Sequence, residues 1–78
     1  MEASLKFTYD RDADILHIDK VKPYAEQETE ELGDDMTVRI NPETEEIENV
    51  EVLFFSTRLL RGEDVFELPV ISVMKKAM

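Results

Sequence analysis

Seventy-eight residues with 19 acidic against 9 basic side chains give a formal charge of −10 and leave room for one small domain, taken here as 1–78. That charge repels phosphate backbones and anionic lipid, and no apolar run approaches the roughly 20 residues of a spanning helix, so nucleic-acid and membrane partners are not expected. Cysteine is absent, which excludes disulfides and thiolate metal sites and leaves self-association as the common remaining support for a core this small.

Met1-Glu2-Ala3-Ser4 shows neither the basic nor the apolar region of a signal peptide, so the expected compartment is the cytoplasm. Leu5, Phe7 and Tyr9 then alternate with polar residues, the pattern of a half-buried strand over 5–9. Asp10-Arg11-Asp12-Ala13-Asp14 forms a tight turn, and a second strand follows over 15–19, with Leu16 and Ile18 on one face and His17 on the other. Between 20 and 35 carboxylates accumulate, including Glu26, Glu28, Glu30, Glu31, Asp34 and Asp35. This segment reads as loop with room for a short edge strand over 25–31, whose acidic side chains discourage pairing. Gly33 supplies the backbone freedom for the next turn.

The stretch 36–55 predicts the central hairpin, with Met36, Val38 and Ile40 on one arm and Val50, Val52 and Phe54 on the other. Asn41-Pro42-Glu43-Thr44-Glu45 is its turn. Ile47 falls on the wrong parity to share a face with Val50, so a bulge is expected near Glu48-Asn49, with Asn49 tolerating a left-handed backbone. A helix of about two turns follows, capped by Ser56, stapled by Phe55 against Leu60 and ended by Gly62. Pro69 leaves the apolar extension 61–78 open between a short helix and an edge strand.

The fold expected is α+β: an antiparallel sheet of four to five strands from two successive hairpins, with one short helix packed on one face. Its core is predicted to hold Leu5, Phe7, Tyr9, Leu16, Ile18, Met36, Val38, Ile40, Val50, Val52, Phe54, Leu59 and Leu60.

Chemistry is sparse. Asp10, Asp12 and Asp14 have the spacing that opens a calcium loop, but Ile15 and Val21 stand where such a loop needs glycine and a closing carboxylate. His17 is the only histidine and has no cysteine or second histidine to complete a nucleophile or zinc constellation. Ser56 and Ser72 lack a nucleophile-elbow context, and Gly33 and Gly62 cannot cradle a phosphate. No catalytic residue, cofactor or metal ligand is therefore assigned.

The run Tyr9-Asp10 through Asp14, Leu16 and Ile18 resembles the Y-D-x-x-x-D-x-L-x-I pattern of the domain-of-unknown-function family 2283. The likeness continues through the acidic stretch, Met36 to Ile40, and Ile47-x-x-Val50-Glu51-Val52-Leu53, covering 5–60. This chain departs from the pattern in carrying Asn49 where relatives have glycine, and Phe54-Phe55-Ser56 where they carry I-L-x-A-S. What the resemblance implies is a fold, with no catalytic residues to carry over.

Two function classes follow. One is a non-enzymatic protein-interaction module. It would pair as a homodimer through Val65, Phe66, Leu68, Val70, Ile71 and Val73, or meet a basic partner protein through its acidic run. The alternative is a small-molecule or divalent-metal-binding protein or enzyme that uses Asp10, Asp12, Asp14 and His17.

Overall fold

A computed structural model describes residues 4–65, 67–71 and 73–77. Among these residues, five strands and one helix follow in order: β1 Lys6–Asp10, β2 Ile15–Asp19, β3 Glu28–Gly33, β4 Met36–Ile40, β5 Ile47–Leu53 and α1 Phe55–Leu60. They form one antiparallel sheet in the order β1-β2-β5-β4-β3, so the expected α+β class and both hairpins hold. The acidic edge strand is present as β3. Among the described residues, no helix is long and apolar enough to cross a membrane.

The register sets the two faces. Tyr9, Leu16, Val52 and Met36 form one cross-strand row, and Phe7, Ile18, Val50 and Val38 form the next. Met36, Val38, Val50 and Val52 are the buried centre, and Leu16, Ile18, Leu32, Ile40, Ile47, Phe55 and Leu68 pack against it. His17 lies on the opposite face in register with Glu51. The bulge is where parity requires it, because pairing shifts between Arg39–Asn49 and Ile40–Ile47. Its cause differs from the one expected: Asn49 does not adopt positive φ, and its side chain is buried.

Turn chemistry accounts for the connections. Asp34 and Asp35 join β3 to β4 with φ of 51° and 59°, the signs that a two-residue type I′ hairpin turn requires, after Gly33 at 84°. In the β4–β5 loop, Asn41 Oδ1 accepts from the backbone N–H groups of Glu43 and Thr44 at 2.8 and 3.1 Å.

Several expected core residues are exposed: Leu5, Phe7, Tyr9, Phe54, Leu59 and Leu60. The physical reasons differ. β1 is an edge strand, so its apolar side chains share the core face with no strand beyond them among the described residues. Phe54 takes a left-handed conformation at the N-cap (φ 54°), which turns its side chain off the strand period. That reversal also rotates the six-residue helix, so that Phe55 and Arg58, not the leucines, point inward. Leu60 is 87% exposed, and the expected staple onto Phe55 is replaced by a Phe55–Tyr9 ring contact at 5.8 Å.

Ser56 is not the cap either, and the N-cap residue makes no side-chain cap bond; Asp14 supplies the acceptors from across the sheet. At the far end Gly62 (φ 82°) stops the helix as expected. Glu63 N–H donates to Arg58 O at 2.9 Å and Gly62 N–H to Leu59 O at 3.1 Å, which is the Schellman pattern. Beyond it the described residues are in neither helix nor strand: Val70 N–H donates to Leu68 O at 2.8 Å around Pro69, and Leu68 rests on the core.

Candidate functional site

The fold gives Asp10, Asp14 and His17 separate partners. Asp10 Oδ1 accepts from the backbone N–H groups of Asp12 and Ala13 at 3.1 and 3.2 Å, the work of a turn residue. Asp14 sits at φ 58°, and its carboxylate accepts from Tyr9 OH at 2.6 Å, Ser56 N–H at 2.8 Å and Thr57 Oγ1 at 3.1 Å. The Tyr9 hydroxyl, and then the Ser56 amide, hold this carboxyl well below the usual range. His17 Nδ1 lies 3.9 Å from Glu51, which also meets Arg39 at 3.5 Å. Among the described residues no group of three or more His, Asp or Glu is placed to hold a metal ion.

A polar cluster that sequence reasoning missed gathers at the bulge. Asn49 is 1% exposed. Its Nδ2 donates to Asp19 Oδ1 at 2.8 Å and Val21 O at 2.7 Å, while its Oδ1 accepts from Gln27 Nε2 at 2.8 Å. Next to it Glu48 accepts from Tyr24 OH at 2.7 Å, Gln27 Nε2 at 3.0 Å and Asn41 Nδ2 at 3.2 Å. The Tyr24 hydroxyl bond pulls the Glu48 carboxyl down, and the same bond pushes the Tyr24 phenol up to about 12. These bonds fasten the 20–27 loop to the sheet. The only trace in the sequence is the parity break at Ile47, because the partners come from distant segments.

Arg58 is a second buried polar residue, 2% exposed. Its guanidinium donates to Asp34 O and meets Asp34 Oδ2 at 3.1 Å and Glu63 Oε1 at 3.5 Å. It ties the β3–β4 turn to the end of α1. Composition offers no signal for this, since an arginine in a short helix ordinarily reads as a solvent-facing cation.

The exposed apolar residues form the remaining candidate. All five residues of β1 are exposed, Phe7 at 62%, although Phe7 and Tyr9 lie on the core face. Of the expected interface residues, Leu68 and Val70 are half-buried within the chain, whereas Val65, Ile71 and Val73 stand exposed. Phe66 lies outside the described residues. The opposite sheet edge is acidic: a depression of about 490 Å³ there is lined by Glu28, Thr29, Glu30, Ile40 and Glu45.

The profile of the family described as "Protein of unknown function (DUF2283)" matches residues 6–56. No curated protein and no solved structure matches the chain.

Proposed function

The chain belongs to the DUF2283 family of proteins of unknown function, and on that premise we propose that it is a non-enzymatic protein-interaction module that pairs with a second copy of itself. The observation that carries this reading is the exposed apolar surface, in which Phe7, Leu60, Val65, Ile71, Val73 and Met74 all face solvent in a chain with only four buried hydrophobic residues in its described core. Apolar side chains of that kind mark contact sites where they adjoin in a patch. Chemistry supports the same side. General acid–base work favours a group poised near neutral pH, and the carboxyls of Asp14 and Glu48 are shifted down, away from that range.

Repulsion between two chains at −10 opposes pairing, so the dimer should tighten as salt screens it. Sedimentation at micromolar concentration, at low and high salt, is the test. The wild type should sediment as a dimer, and Ile71→Asp, which places a carboxylate in the desolvated contact, should shift it to monomer. A wild type that is monomeric at every salt concentration removes the reading. The exposed carboxylates of β3, Glu28, Glu30 and Glu31, favour a basic protein as a further partner, to be sought by affinity capture. Cytoplasmic location is part of the same reading and is checked by fractionation.

A further inference from the structure

The two edges of the sheet are chemically unlike. β3 presents Glu28, Glu30 and Glu31, side chains that block strand addition. β1 presents Lys6-Phe7-Thr8-Tyr9-Asp10, exposed throughout, and among the described residues it pairs only with β2. Its charges are placed symmetrically about Thr8, a cation two residues before and a carboxylate two residues after. An antiparallel copy centred on Thr8 therefore sets each lysine against an aspartate and each Phe7 against a Tyr9. Parallel pairing in register would set lysine on lysine and aspartate on aspartate.

We propose that the second copy docks along β1, strand to strand and antiparallel, with Thr8 on the twofold axis, so that two five-stranded sheets become one continuous sheet. This rests on the self-association proposed above but sets its contact at β1 in place of Val65, Ile71 and Val73, so a dimer that cross-links at Thr8→Cys and is unaffected by Ile71→Asp assigns the contact to β1. Facing residues in an antiparallel pair point to the same side, so Phe7 and Tyr9 of both copies extend the apolar face that Leu68 overlies. The arrangement also answers the charge problem. Strand spacing puts the acidic β3 edge about 19 Å from β1, more than two screening lengths at physiological salt.

Because the chain has no cysteine, Thr8→Cys gives a single thiol on an exposed position. Facing residues in such a pair have Cα atoms about 4.5 or 5.5 Å apart, within the span of a disulfide. Mild oxidation should convert Thr8→Cys to a covalent dimer far faster than Thr29→Cys, a control on the β3 edge. Lys6→Asp should raise the dissociation constant about tenfold at low salt, since two attractive contacts per dimer become repulsive. Adding Asp10→Asn, which keeps the turn-capping oxygen, should recover the part of that loss due to repulsion and leave the lost attraction. If the wild type is dimeric but Thr8→Cys cross-links no faster than Thr29→Cys, β1 pairing is overturned and the broader reading stands. A monomeric wild type overturns both.

Discussion

At the scale of single residues, the polar side chains at Asn49 and Arg58 are as buried as the central valines, Asn49 held by three hydrogen bonds and Arg58 by its contacts with Asp34 and Glu63. Asn49 spends both donors and its acceptor on three different partners, which apolar substitution cannot reproduce. Asn49→Ala should lower stability by about 2 kcal/mol, read as a lower urea midpoint with unchanged slope, because Gln27 and Asp19 lose a partner away from bulk water. Asn49→Asp should be worse at pH 7: it keeps the volume but loses both donations and sets a second carboxylate against Asp19. The gap between the two variants should narrow as acid protonates the introduced carboxyl. Arg58 resists replacement for a related reason, since its fork reaches Asp34 and Glu63 together and a lysine offers one point charge.

At the scale of elements, α1 is too short to be stable alone, and its beginning is held by a residue 42 positions earlier in the chain, Asp14. The carboxyl is depressed in the folded state. Its contribution is therefore complete above the ordinary value of 3.8 and is lost as pH falls from there through the folded value. Asp14→Asn keeps a residue that tolerates the left-handed backbone but removes the charge and the acceptor facing Thr57. Urea midpoints from pH 7 to 2 should show the variant less stable at neutral pH and flatter below pH 4 than the wild type. Four strands were legible in the sequence because their apolar residues alternate, and the bulge because Ile47 breaks that alternation, whereas β3 carries no alternation and read only as loop with room for a short strand over 25–31. The helix contacts were not. Six residues carry too little periodicity to fix rotation, so Leu59 and Leu60 read as core when the left-handed Phe54 had turned them out. Nor does any local pattern announce a cap supplied by Asp14, or a tyrosine and a glutamine in an acidic loop that close over Asn49.

At the scale of the whole molecule, the chain is a single sheet thinly covered on its apolar face. Its radius of gyration is 13.2 Å, against about 11.5 Å expected for a compact chain of this length. Acidic charge collects at the β3 edge, and β1 is the edge left with balanced charge. The strand order carries a kinetic consequence. β3, β4 and β5 meet through short turns, as do β1 and β2, but the ladder joining Ile18 to Val50 closes a long loop and is the slow, non-local step. The three-stranded part should form first and the amino-terminal hairpin should dock last and leave first. In stopped-flow experiments Val38→Ala should therefore slow refolding, whereas Leu16→Ala should leave the refolding rate nearly unchanged and speed unfolding. The lifetime of the native chain would then be set at the β2–β5 seam, which the Asp19–Asn49 and Asp14–Ser56 bonds hold shut from its two ends.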